Sequence, residues 1–75
     1  MSRSAAEVRR QLEVAALDAA IAAHRVSVEL GRACAIETTE TSDLVQAVRM
    51  RVYAANEARD IAIEAYVDHI DGVTS

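Results

Sequence analysis

Residues 37–42 have the sequence Glu-Thr-Thr-Glu-Thr-Ser, which differs in composition from the rest of the chain. It is the one cluster of β-branched and small polar residues in a 75-residue chain that has sixteen alanines, two glycines and no proline. Alanine is the strongest helix former, whereas serine and threonine favour turns and helix caps. The segment therefore predicts a loop at about 37–42 that joins two long helices. One continuous helix over the whole chain is the alternative.

The segment before the loop begins with a helix-start signal. Ser4 is followed three positions later by Glu7, which is the spacing of a capping box. In this motif each side chain accepts a hydrogen bond from the backbone amide of the other residue, so two otherwise unpaired amides are satisfied. The pattern predicts a first helix at about 4–36.

The segment after the loop has signals at both ends. Ser42 or Asp43 is a suitable N-cap, because its short side-chain oxygen can accept a bond from a backbone amide. Gly72 is a natural helix stop. A second helix is therefore predicted at about 43–71, followed by a frayed C-terminus at 72–75.

Two helices of similar length joined by a short loop pack as an antiparallel pair. The chain is about half as long as a typical domain, so we expect a single all-α domain over residues 1–75, a two-helix hairpin. Each helix has two apolar stripes on nearly opposite sides, whereas a hairpin buries one stripe per helix. The stripes assigned to the interior are Val8, Leu12, Ala15, Ala19, Ala22, Val26, Leu30 and Ala33 in the first helix, and Leu44, Val48, Val52, Ala55, Ala62 and Tyr66 in the second.

The second stripes would leave larger apolar patches than soluble monomers usually expose. A chain of 75 residues also buries too small a fraction of its surface to be very stable alone. We therefore predict self-association into a four-helix bundle or a larger helical assembly. The alternative is that helices of another protein cover the second stripes. The residues assigned to this interface are Leu17, Ile21, Val28, Met50, Ala54, Ala58, Ile61 and Ala65.

The charged residues form two groups. Like charges one turn apart repel, and carboxylates near a helix C-terminus oppose the helix dipole, so a compensating partner is expected. The sequence predicts an ion-pair lock between the two groups, within one hairpin or with its dimer mate; a docking surface for a basic partner or a cation is the alternative. The acidic strip consists of Glu57, Asp60, Glu64, Asp68 and Asp71, and the basic end cluster consists of Arg3, Arg9 and Arg10.

Composition argues against several classes of function. A net charge of −4, the absence of lysine and the presence of only two aromatic residues disfavour nucleic-acid binding. No uncharged stretch approaches the roughly 20 residues that cross a bilayer, and the first residues carry charges where a signal peptide is apolar. We therefore expect a cytoplasmic protein that does not bind membranes.

Catalytic and metal-binding patterns are weak. The residues three positions before His24 and His69 are isoleucine and tyrosine, so the Glu-x-x-His motif of di-iron helix bundles is missing. The single cysteine, Cys34, lies near the main apolar stripe and is expected to be a buried, inert thiol. Two isolated glycines do not form a phosphate-binding loop. We expect no enzymatic activity and no cofactor.

These features predict a non-enzymatic helical module for protein–protein interaction, with a structural, adaptor or regulatory role. It would act through homo-oligomerisation and through binding another protein. The alternative is an acidic decoy whose strip occupies the basic surface of a nucleic-acid-binding protein, since carboxylates one helical turn apart are spaced similarly to DNA phosphates. A carboxylate metal-binding bundle is a more distant third hypothesis.

Overall fold

Two long helices account for nearly all of the described chain. A computed structural model describes the backbone of residues 3–74 and the side chains up to residue 72. Helix α1 spans Ala5–Ala35 and helix α2 spans Ser42–Thr74. They pack against each other as an antiparallel pair that measures 55 × 21 × 17 Å. The predicted all-α helical hairpin is confirmed.

Ser4 is the N-cap of α1, and the hydrogen bond to its side chain is the half of the predicted capping box that forms. Ser4 has an extended backbone, and its Oγ accepts a hydrogen bond from the amide of Glu7 at 3.2 Å. The carbonyl of Ser4 accepts a bond from the amide of Val8. At the other end, the amide of Ile36 donates to the carbonyl of Ala33, which closes the last turn. The bounds of α1 therefore agree with the prediction to within one residue.

The threonine-rich segment forms a hydrogen-bonded turn over residues 36–41. The amide of Thr38 donates to Oγ1 of Thr41 at 2.8 Å, and the amide of Thr41 donates to the carbonyl of Thr38 at 3.1 Å. The carbonyl of Thr41 then accepts a bond from the amide of Val45, which begins the next helix. These bonds explain why the two helices are separated here, because the threonines satisfy each other's backbone groups outside a helix.

The first residues of α2 differ from the predicted cap. The hydroxyl of Ser42 donates to the carbonyl of Thr39 at 3.2 Å, whereas a capping side chain accepts a bond from a backbone amide. Asp43 lies in the first turn, where its negative charge is favourable with respect to the helix dipole. Both Ser42 and Asp43 belong to α2, so the prediction that one of them precedes it as the cap is wrong.

Helix α2 also continues beyond its predicted end. The prediction placed the last helical residue at Asp71 and frayed residues at 72–75, but the helix runs through Gly72 to Thr74. A glycine commonly ends a helix by adopting the left-handed conformation, and no glycine among the described residues has a positive φ angle. Ser75 lies outside the described residues.

The interior of the hairpin consists of small side chains. Ala23, Val45 and Val52 are the buried apolar residues of the described chain, with exposed fractions of 2%, 2% and 8%. Half-buried residues extend this contact along both helices at alternating spacings of three and four, the repeat of helices that pack along their length. These residues are Leu12, Ala16, Ala19, Val26, Leu30 and Ala33 in α1, and Val48, Ala55, Ala62 and Tyr66 in α2.

Three predicted interior residues lie outside this contact. Ala15 and Ala22 are exposed, and the side chain of Leu44 is 67% exposed. Alanine also occupies the adjacent positions 16 and 23, so the apolar pattern cannot distinguish which alanine faces the other helix. Val45 takes the place of Leu44 for the same reason, since two neighbouring apolar residues compete for one contact position.

Candidate functional site: an apolar surface, an acidic strip and a basic groove

The eight residues that the sequence assigns to an interface are all exposed in the single hairpin. We refer to them as the apolar surface. It includes three alanines of α2, which allow another helix to approach closely, and large side chains on both helices. The exposed fractions of the large side chains are 57% for Leu17, 49% for Ile21, 39% for Val28, 65% for Met50 and 61% for Ile61.

Other exposed apolar side chains lie outside the predicted set. Ile36 and Leu44 flank the loop, and Tyr53 lies on the outer part of α2. The exposure of Ile36 and Leu44 could have been predicted from the sequence, because an apolar residue beside a loop has few neighbours from the opposite helix. These residues extend the accessible apolar area towards the loop end of the hairpin.

The acidic strip lies on the sides of α2 that face away from α1, and all five of its residues are exposed. Asp60 forms an ion pair with Arg59, its neighbour on the same helix, at 3.2 Å. Over the part of the chain with described side chains, Glu57, Glu64 and Asp68 have no ion pair. Their carboxylates are accessible to a positively charged partner.

The basic end cluster divides into two parts. Arg3, which precedes α1, donates a hydrogen bond to Oε1 of Gln11 on that helix. Arg9 and Arg10 instead line a groove of about 510 Å³ at the open end of the hairpin, between the first turns of α1 and the last turns of α2. We call this the basic groove. Its lining consists of Ala5, Ala6, Arg9, Arg10, Glu13, His69 and Ile70.

The basic groove contains an unsatisfied polar atom. Nε2 of His69 is shielded from solvent and has no hydrogen-bond partner among the described residues. Leaving such an atom unpaired costs about 1–3 kcal/mol. The guanidinium donors of Arg9 and Arg10 outnumber the single carboxylate of the lining, Glu13, so the groove favours an anionic group that carries hydrogen-bonding oxygens.

The predicted lock between basic cluster and acidic strip does not form within the described side chains, where no ion pair joins Arg9 or Arg10 to Glu64 or Asp68. The arginines lie at the open end of the hairpin, and the strip extends from the middle of α2 towards the same end. They nevertheless face different directions, because the strip is on the outer side of α2 while the two arginines line the groove between the helices. A lock between two copies stays a prediction.

A cross-helix ion pair that the sequence does not predict lies in the loop half of the hairpin. Arg51 of α2 donates to Oε1 of Glu29 of α1 at 2.9 Å, and both side chains are about half exposed. An exposed pair of this kind contributes at most about 1 kcal/mol. The pair shows that residues 29 and 51 lie side by side in the hairpin.

The single thiol is accessible. Cys34 is exposed, so the prediction of a buried thiol is wrong. The residue follows directly after the contact position Ala33, and a step of one residue turns the side chain by about 100° around the helix. Cys34 is therefore available to a labelling reagent near the loop.

Metal-binding and membrane-spanning features are missing from the described part of the chain. Residues 3–72 contain no group of three or more His, Cys, Asp or Glu side chains that could hold a metal ion together. Neither described helix has the apolar length that is needed to cross a membrane. No protein-family model, no curated protein and no solved structure matches the chain, so its function is inferred from the surfaces of the hairpin.

Proposed function

We propose that this chain is a non-enzymatic protein–protein interaction module that self-associates and binds another protein, as a structural, adaptor or regulatory component. The observation that supports this proposal is the apolar surface, where Leu17, Met50 and Ile61 each expose more than half of the side chain. Large apolar side chains exposed on both helices of a small protein are typical of interaction sites. The two helices thereby offer a second contact face in addition to the one they share.

The total surface area supports the same proposal. A compact monomer of 8.1 kDa exposes about 4,500 Å², according to the scaling of surface with mass. The hairpin exposes 5786 Å². The excess of about 1,300 Å² is larger than the roughly 800 Å² that each partner buries in a standard protein interface. One further copy of the hairpin is sufficient to cover an area of this size.

Self-association is tested by sedimentation equilibrium of the purified chain. We expect a species of at least twice the 8.1 kDa mass of one chain at micromolar concentration, because the apolar surface is removed from water when copies associate. Circular dichroism on the same samples verifies that the protein is helical. A well-folded species with the mass of one chain over the whole concentration range would contradict the proposal.

The acidic decoy is the second candidate function. The observation that favours it is the accessibility of Glu57, Glu64 and Asp68, which carry no ion pair within the described side chains. In this case the strip would imitate the phosphates of a nucleic acid and occupy a basic surface on another protein. Binding through such a strip would weaken steeply with salt, whereas binding through the apolar surface would not.

Neutralising the strip distinguishes the two candidates. The variant that combines Asp60→Asn, Glu64→Gln and Asp68→Asn is expected to melt at a lower temperature than the wild type in low salt, because a lock between copies has lost its carboxylates. Thermal melts at low and high salt measure this difference, and a polyarginine peptide serves as a basic binding probe. If the triple variant melts at an equal or higher temperature and no longer binds the peptide, the decoy is favoured, since only repulsion between carboxylates has been removed.

A further inference from the structure

We propose that two copies associate with their loops at the same end, so that the acidic strip of each copy fills the basic groove of the other. This inference rests on the self-association proposed above and specifies its geometry. The result is a four-helix bundle in which each helix is antiparallel to both of its neighbours, with a two-fold axis along the bundle. Each dimer then contains two equivalent contacts between a strip and a groove.

The position of each residue along the long axis of the hairpin determines which charges of the two copies can meet. Two residues at the same position along this axis are called level with each other. Within one chain, His69 of α2 lies in the same groove as Arg9 of α1, so these positions are level with each other. When both loops are at the same end, this relation also holds between α1 of one copy and α2 of the second copy. Glu64 and Asp68 of the second copy then lie within about one helical turn of the level of Arg9 and Arg10.

The opposite arrangement matches the charges less well. With the loops at opposite ends, Arg9 would lie level with the loop half of the second copy, whose α1 carries Arg25 and Arg32. The strip would then lie level with Arg49 and Arg51, but both of these side chains are already hydrogen-bonded within their own chain. With the loops together, Arg9 and Arg10 lie level with Glu64 and Asp68, whereas in the alternative they lie level with Arg25 and Arg32 and are left without a carboxylate from the strip.

The lining of the basic groove has two arginines and one carboxylate, Glu13, so it keeps an excess of positive charge. Arg9 and Arg10 have no ion pair within the described side chains, and Nε2 of His69 has no hydrogen-bond partner there. Carboxylate oxygens accept hydrogen bonds from both types of group, and bonds between charged partners are about twice as strong as neutral ones. Glu64 and Asp68 of a second copy would supply acceptors for Arg9 and Arg10, whereas Nε2 of His69, which is shielded from solvent, would reach them only after its side chain moves.

Charge reversal with mixing tests the contact between copies. One variant reverses the groove, with Arg9→Glu and Arg10→Glu, and another reverses the strip, with Glu64→Arg and Asp68→Arg. Each variant alone is expected to self-associate about tenfold more weakly than the wild type, because like charges meet at both contacts of the dimer. An equimolar mixture is expected to recover wild-type association, because both contacts of the mixed dimer again join opposite charges. Sedimentation and circular dichroism on the separate and mixed variants measure both effects.

The mixed sample distinguishes a contact between copies from an ion-pair lock inside one hairpin. Recovery in the mixture supports the contact between copies even if the separate variants have lost helicity, since an internal lock cannot be repaired by another chain. If the wild type self-associates and both variants do so with unchanged affinity, the loops-together geometry is overturned while the proposed function stands. If the wild type is a folded monomer, the proposed function itself fails, and the inference fails with it.

A distance measurement tests the orientation directly. A nitroxide label on Cys34, the single and exposed thiol, reports the separation of the two loop ends in the dimer. We expect a separation of about 20 Å, comparable to two helix diameters, when the loops are together. Loops at opposite ends would give about 40 Å or more, because Cys34 lies many turns from the middle of α1.

A second label position controls for disturbance by the label. Thr39→Cys combined with Cys34→Ser moves the label to the exposed turn, where opposite loops would give a distance close to the 55 Å length of the hairpin. Sedimentation of the labelled proteins verifies that they still associate. Long distances at both positions in an associated sample would overturn the proposed orientation.

Discussion

Replacing Ile61 by glutamate is expected to dissociate the assembly and to leave the hairpin helical. In a single hairpin this side chain is 61% exposed, so a carboxylate there remains hydrated and changes stability by only about 0.5 kcal/mol. In an interface the same carboxylate would be removed from water, at a cost of several kcal/mol. Each 1.4 kcal/mol corresponds to a factor of ten in the dissociation constant, so we expect at least a hundredfold weaker self-association. Sedimentation and circular dichroism measure the two effects separately.

The same substitution on α1 provides a second test with a matched control. Ile21→Glu is expected to behave like Ile61→Glu, because Ile21 is also about half exposed. Ser27→Glu adds the same charge to α1 at an exposed polar position and should leave association unchanged. If Ile21→Glu or Ile61→Glu lost the helical circular dichroism signal whether or not the protein was associated, those side chains would belong to the interior of the hairpin.

Replacing Val52 by glutamate is expected to have the opposite outcome and to unfold the chain. Val52 is 8% exposed and lies in the contact between α1 and α2, where an unpaired carboxylate costs several kcal/mol. The total stability of a domain is roughly 0.05–0.15 kcal/mol per residue, so a cost of that size consumes most of it in a chain of this length. Loss of the helical circular dichroism signal at 25 °C measures the effect.

Ile61→Glu is the natural comparison for Val52→Glu, since both introduce the same side chain on the same helix. Val45→Asp, at the most buried valine, should also unfold the chain. Retained helicity in Val52→Glu or Val45→Asp would show that the helices pack through another face. The contrast between buried and exposed positions therefore tests the packing of the hairpin independently of its assembly.

The fold could be predicted largely because strong local signals agree with each other. The cap at Ser4 and the threonine-rich turn are short-range features, and the hydrogen bonds of the structure are those that such residues favour. The end of α2 was not predictable in this way, because Gly72 has no preference strong enough to stop a helix by itself. Among adjacent alanines the contact face was also ambiguous, since Ala15 and Ala16 have identical side chains.

Residues of the candidate site that lie on one helix could be proposed from the sequence, but their arrangement in three dimensions could not. Apolar periodicity identified exposed residues such as Ile21 and Ile61 because it depends on one helix at a time. The basic groove depends on both helices, and the residues that form it, such as Arg9 and His69, are far apart in sequence. The Glu29–Arg51 ion pair was missed for the same reason, since its detection needs the relative positions of α1 and α2.

The antiparallel packing also determines where the hairpin can be attached to other structures. The first residue of α1, Ala5, and the last residue of α2, Thr74, lie at the same end of a body that is 55 Å long. A polypeptide fused to the start of α1 and another fused to the end of α2 would begin close together at this end. The two fused segments would therefore hinder each other sterically. A peptide inserted into the 36–41 turn would instead project from the far tip. Both attachment points to other structures therefore lie at one end of the hairpin, and the turn lies at the other end.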